Sequence, residues 1–290
     1  MAHDTFSVGD LTAVIGDNEA HDKHRAGYNG IWSLTHKGEP TSLFVPGIAG
    51  FNLEHIFDGA TLDLGEDKTI FFEPRNAPME FSRLGDHEAE LHQPPTPTFH
   101  LESWTRFTLR EPHYIDISFR CRAQQHVFQN GYVGLFWASY INAPEDKSMY
   151  LRGQQGWLQL CTPAHNRDST VVHQDNTTNL KFAPGHRECL YKSLSPLQFD
   201  QPLFYGLFGS QTYITMFDRA SGIRLSHSPS GGGYSADLQT TNPAWDFQYI
   251  IPRYDVLTDY SFHCRLVYRP RCSRAEVLRE YGDWQKTLPK

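Results

Sequence analysis

The stretches LESWTRFTL (residues 101–109) and YIDISFR (residues 114–120) decide the fold. In each, apolar and polar residues alternate strictly, which is the two-residue period of a half-buried strand. Glu111 and Pro112 separate them as turn residues, so the pair reads as a hairpin. Similar short runs recur at 30–35, 68–72, 89–92, 132–140, 157–161, 203–208, 213–217, 247–251 and 261–268. Many short strands at near-regular spacing imply an all-β protein, a large antiparallel β-sandwich. The 3.6-residue period appears clearly once, over residues 273–286, with Ala275, Val277, Leu278 and Tyr281 on one stripe and Ser273 as N-cap. A short C-terminal helix is therefore expected. No linker divides the chain, and residues 1–290 read as a single domain.

Composition narrows the function classes. Aromatics are 13% of 290 residues, which suits broad, half-buried sheet faces. The net charge is −7 and no basic run exists, so no nucleic-acid footprint is visible. No run of 18 apolar residues suggests a membrane span, and MAHDTFSVGD carries no secretory signal. The five cysteines are odd in number and form no CxxC pair, which implies free thiols and a cytoplasmic setting.

Six stretches concentrate chemistry. Glu54, His55 and Asp58 lie in NLEHIFD (52–58), where the alternative reading is a solvated strand end. Arg75 follows the Glu-Pro turn of FFEPR (71–75), as a fork for hydroxyl or carboxylate oxygens or as a structural partner of Glu73. His100, Glu102, Trp104 and Arg106 share a parity in β-structure, with His92 across a proline-rich loop. Such a face suits a sugar, with flat aromatics for C–H groups and His, Glu and Arg for hydroxyls. It equally suits a divalent metal, with His55, His92, His100, Glu102 and His173 as candidate ligands. Trp137 and Tyr140, in NGYVGLFWASY (130–140), are either core or a stacking platform. His165, Asp168, His173 and Asp175 crowd a polar loop. Gly231, Gly232 and Gly233 precede WDFQ (245–248), in which Asp246 and Gln248 share a strand face.

These segments together resemble the galactose mutarotase-like β-supersandwich, the fold of aldose 1-epimerases. Arg75 resembles that family's substrate-binding arginine. LHQ (91–93) resembles its LHG motif, whose histidine is a general acid, and WDFQ resembles its Glu-Pro-Gln segment, which supplies the general base. The resemblance implies His92 as acid and Asp246 as base. Together with the residue patterns above, Arg75, His100, Glu102, Trp104, Arg106, Trp137, His173 and Gln248 are expected around a sugar or glycoside. The family's second histidine, in HxYFN, is replaced here by Trp137 or Ser139, with His165 or His173 as possible substitutes. Three readings follow. The first is acid–base chemistry at or near a sugar's anomeric centre, as in an isomerase. The second is a metal-dependent lyase, isomerase or hydrolase, and the third a non-catalytic carbohydrate-binding module.

Overall fold

The computed structural model describes residues 2–60, 72–186, 188–229 and 242–288. The strand expected at 68–72 lies outside these residues except for Phe72, and Gly231 to Gly233 lie outside them entirely.

Two large sheets face each other. The first has nine strands in the spatial order β11 (Gly156–Leu160), β10 (Met149–Gly153), β14 (Gln201–Phe208), β15 (Gln211–Phe217), β18 (Asp259–Pro270), β8 (Tyr114–Ala123), β7 (Leu101–Arg110), β6 (Glu88–Gln93) and β5 (Glu80–Gly85). The second has six, in the order β13 (Leu194–Phe199), β12 (Thr170–His173), β16 (Ile223–Ser228), β17 (Ala244–Ile251), β9 (Val133–Ala138) and β4 (Asn52–Phe57). A third sheet holds β1 (His3–Val8), β2 (Leu11–Gly16) and β3 (Gly30–His36). Pairings are antiparallel except for β12 with β13. The expected hairpin is β7–β8, with Leu101 opposite Ala123 and Arg110 opposite Tyr114.

The alternation that identified β7 is borne out by burial. Leu101, Ser103, Thr105, Phe107 and Leu109 point inward, and Glu102, Trp104 and Arg106 point outward. The inner faces meet over an aromatic core in which Trp137 and Phe247 stack at 4.8 Å and 4°, with Phe119 edge-on to Trp137 at 4.8 Å. Trp137 is wholly buried there, so it is core and not a platform for a ligand. Removing such a side chain typically costs ~3–5 kcal/mol.

β4, β9, β16 and β17 are buried at every position, because loops cover the outer face of the six-stranded sheet as well. The nine-stranded sheet is covered differently. Helix α2 (Arg274–Gln285) lies over its β14–β15–β18 region, placing Val277 and Trp284 against Leu203, Ile214 and Val267. Its capping box is complete. The Glu276 amide donates to Ser273 Oγ at 3.2 Å, and the Ser273 amide donates to Glu276 Oε2 at 2.8 Å. Helix α1 (Glu73–Asn76) is one turn beside β4. Cys121, Cys161, Cys264 and Cys272 are free thiols, and no helix among the described residues is long and apolar enough to cross a membrane.

Candidate active site

A cavity of ≈ 390 Å³ opens on the outer face of the six-stranded sheet. Its floor is Phe136 and Ala138 of β9 with Ala244 and Asp246 of β17, and its walls include Glu54, His55, Arg75, Tyr140, Tyr28 and Tyr191.

Strand β4 supplies two consecutive cavity residues, which a regular strand cannot do. Its register against β9 shifts between Leu53, opposite Trp137, and His55, opposite Phe136. Glu54 is the extra residue of this bulge, so Glu54 and His55 both reach the cavity while Leu53 stays in the core. The Asn29 side chain holds the strand just before the bulge. Its Nδ2 donates to Leu53 O and its Oδ1 accepts the Leu53 amide, each at 3.0 Å.

Arg75 is aimed by a pinned turn. Glu73 accepts the amides of Thr98 and of Phe99, the latter at 3.1 Å. Asn18 Nδ2 donates to Ala77 O at 2.7 Å, and Gln93 Nε2 donates to Pro74 O at 2.8 Å. The Glu73–Arg75 pair considered from sequence is therefore absent, because Glu73 serves backbone amides instead. Arg75 Nη1 donates to Glu54 Oε1 at 3.0 Å, Nε donates to Gly27 O at 2.7 Å, and the guanidinium lies 3.9 Å over the Tyr28 ring. Burial works against its charge, and Glu54 and the neighbouring tyrosines more than offset this, so its pKa is raised.

Glu54 accepts a second bond, from the Tyr140 hydroxyl at 2.7 Å. Burial, and then the Glu54 charge, push the Tyr140 hydroxyl well above the usual phenol range, fixing it as a donor. Asp246 is 1% exposed. Its Oδ1 accepts the Ser139 amide at 3.0 Å. Burial is the largest effect on it, and the Glu54 charge adds to it. Together they outweigh the amide and raise the Asp246 carboxyl well above its ordinary value of 3.8. His165 reaches the rim, within 3.1 Å of Ser228 Oγ.

The other sequence candidates lie elsewhere. His92 and Asp246 do not meet. Strand parity puts His92 on the outer face of the nine-stranded sheet, across the core from the cavity. There His92 Nε2 is 3.0 Å from Glu102 Oε1, its Nδ1 is 3.5 Å from Glu80, and its ring stacks on Trp104 at 5.1 Å. Arg120 covers Trp104 from the other strand at 3.6 Å, and Arg106 pairs with Glu90 at 2.9 Å. Within LHQ it is Gln93 that serves the cavity, by supporting the Arg75 turn. His100 occupies a left-handed turn (φ 47) before β7. His173 Nε2 donates to Asp200 O at 3.2 Å. Gln248 is beside Asp246 on β17 and donates to Ser226 Oγ at 2.8 Å and Thr170 Oγ1 at 3.1 Å. Among the described residues no three His, Cys, Asp or Glu side chains are grouped to hold a metal. The expected set is dispersed: His55 lines the cavity, His92 and Glu102 stand on the outer face of the nine-stranded sheet, His100 is in the turn before β7, and His173 at the end of β12 packs on Phe199.

Sequence reasoning passed over Tyr28 and Arg25, which come from the loop before β3. It singled out Glu54 and His55 without seeing that a bulge brings both to one face.

No family model matches the sequence, and no curated protein is similar to it. Solved structures share its fold. A candidate aldose 1-epimerase of Escherichia coli K12 superposes with a TM-score of 0.54 at 11% identity, over 93% of this chain and 99% of that one. The Slr1438 protein of Synechocystis sp. PCC 6803 does so with 0.53 at 10% identity, over 93% and 96%. The chain thus has the galactose mutarotase-like β-supersandwich fold. At such identity the likeness concerns the fold alone.

Proposed function

We propose that the cavity carries out acid–base chemistry at or near the anomeric centre of a sugar, with Asp246 as the proton donor and His55 as its partner base. The observation that carries this reading is the desolvated carboxyl of Asp246, whose pKa is raised by burial in a cavity that also holds imidazoles. A carboxylic acid whose proton affinity is raised by burial is suited to protonating a ring oxygen. β17, β9 and β4 are neighbours, so Asp246 and His55 stand two strand spacings apart and two residues apart along the sheet, roughly 12 Å between backbones, with room for one pyranose ring between their side chains.

In this reading Asp246 protonates the ring oxygen while His55 removes the proton of the anomeric hydroxyl. The bond between the anomeric carbon and the ring oxygen breaks, leaving an open-chain aldehyde. Rotation about the C1–C2 bond and reclosure return the ring-oxygen proton to Asp246 and the His55 proton to the new anomeric hydroxyl, which yields the other anomer. Arg75 and Glu54, locked together, offer donors and acceptors to ring hydroxyls, and Tyr28, Phe72 and Tyr191 offer apolar surface to C–H faces. The supersandwich fold shared with a candidate aldose 1-epimerase supports the sugar as ligand class. The test is exchange between anomers, followed by NMR saturation transfer over a panel of aldoses. The wild-type chain should accelerate exchange of at least one sugar and Asp246→Asn should not. Equal acceleration by Asp246→Asn would remove Asp246 from the chemistry.

A further inference from the structure

A second cavity, of ≈ 440 Å³, lies on the same side of the molecule, between the segments 130–132, 177–181 and 252–253. Its charged lining residues are Lys181 and Arg253, and no carboxylate lines it. That is notable in a chain of net charge −7. Both side chains are exposed, and neither makes an ion pair among the described residues. Asp175 and Asp255, each two residues from a lining residue in sequence, do not line the cavity, and Asp58, whose charge reaches Tyr132, is engaged with backbone amides. It accepts the amides of Ala60 at 2.9 Å and Gln129 at 2.5 Å, and it is buried.

A third cation stands behind the cavity. Arg224 of β16 is 3% exposed. Buried guanidinium groups normally face a carboxylate. Arg224 instead donates Nη2 to the carbonyl of Thr178, a residue of the cavity wall, at 2.9 Å, and has no carboxylate partner among the described residues. Burial accordingly lowers its pKa to about 10, which leaves it charged at neutral pH. Beside it on β17, opposite in register, Gln248 has a buried Oε1 with no hydrogen-bond partner. The neutral part of the lining is Asn130, Tyr132, Thr177, Thr178 and Asn179, with both donors and acceptors.

We infer that this cavity is a binding site for a phosphate- or sulfate-type dianion, held at its mouth by Lys181 and Arg253 and stabilised from behind by the buried charge of Arg224. The inference does not depend on the chemistry at Asp246. Two exposed cations at the mouth and a third in low dielectric create a local positive potential inside an acidic protein, which concentrates a doubly charged oxyanion. The dianion can be a free ion or the phosphoryl group of a larger molecule.

The test is isothermal titration of the full chain at low and at physiological salt. The probes are inorganic phosphate, pyrophosphate and a hexose phosphate, with the unphosphorylated hexose as control. Saturable one-to-one binding of at least one phosphate probe is expected, weakening with salt. The double variant Lys181→Ala/Arg253→Ala changes only exposed side chains and should lower that affinity at least tenfold. Hexose phosphate binding more tightly than inorganic phosphate would identify a phosphorylated molecule as the source, and equal affinities would identify the free anion. No saturable binding by any phosphate probe, or binding unchanged in the double variant, would overturn the inference. Either result leaves the anomer-exchange test of Asp246 unaffected.

Discussion

The outer faces of the two large sheets carry the same residue types and use them in opposite ways. On the nine-stranded sheet His92, Glu102, Trp104, Arg106 and Arg120 stand in or near solvent and satisfy one another across the strands. On the six-stranded sheet Glu54, His55, Arg75 and Asp246 lie under loops and aromatics. Cover is what separates them. An exposed carboxylate–imidazole contact is screened by water, whereas a covered carboxyl has its proton affinity changed. A face able to do chemistry is thus marked by what lies above it and not by its residue types alone.

The largest effect that would sharpen this contrast is catalytic. Asp246→Asn should lower the rate of anomer exchange by ~10²–10⁴-fold, the usual contribution of one acid–base group, and His92→Ala should leave it unchanged. Parallel NMR exchange assays of the two variants read this directly. The reverse pattern would move the chemistry to the nine-stranded sheet.

The next effect is on stability. Arg75→Ala leaves Glu54 buried with the Tyr140 hydroxyl as donor and His55 Nε2 3.8 Å away among the described residues, and should cost about 3 kcal/mol in urea unfolding. Arg106→Ala, which breaks an exposed pair with Glu90, should cost under ~1 kcal/mol. Equal costs would mean that cover does not matter.

Acid should also discriminate. Burial lowers His24, stacked on Trp32 at 3.7 Å, and His227, held by Lys147 O, to about 4 from 6.5. A depressed imidazole contributes stability that is complete above the unfolded value and is lost as pH falls through the folded one. The chain should therefore lose stability between pH 6.5 and 4, and each of these histidines contributes on the order of 3 kcal/mol. Urea midpoints across that range check this, and His24→Gln should flatten part of the slope. Asp246 has the opposite sign, since its folded value is raised. Its contribution is complete below 3.8 and is lost as pH rises toward its folded value. Asp246→Asn should remove that loss without unfolding the protein.

Much of the fold was legible because β7 and β8 face water on one side, and their alternation survives in the sequence. Ser273 and Glu276 announced the helix in the same way. β4, β9, β16 and β17 show no burial alternation, since both of their faces are buried, and β16 went unnoticed, as did the short β12. The site was legible in part. Arg75, His55, Asp246 and Tyr140 were marked, and all four line the cavity. His92 was paired with Asp246, from which the structure separates it, because strand parity reveals which residues share a face but not which face will be covered. Glu54 and His55 came together through a bulge held by Asn29, a contact 24 residues distant that no local pattern encodes.

The central claim is that the Asp246 carboxyl keeps its proton at neutral pH inside the cavity. Isotope-edited infrared spectroscopy, with carboxyl-labelled aspartate and Asp246→Asn as the difference partner, measures that state directly. A protonated carboxyl band assigned to Asp246 at pH 7, absent from the variant, is the predicted result. A carboxylate band at pH 7, titrating near the ordinary value of 3.8, would contradict it.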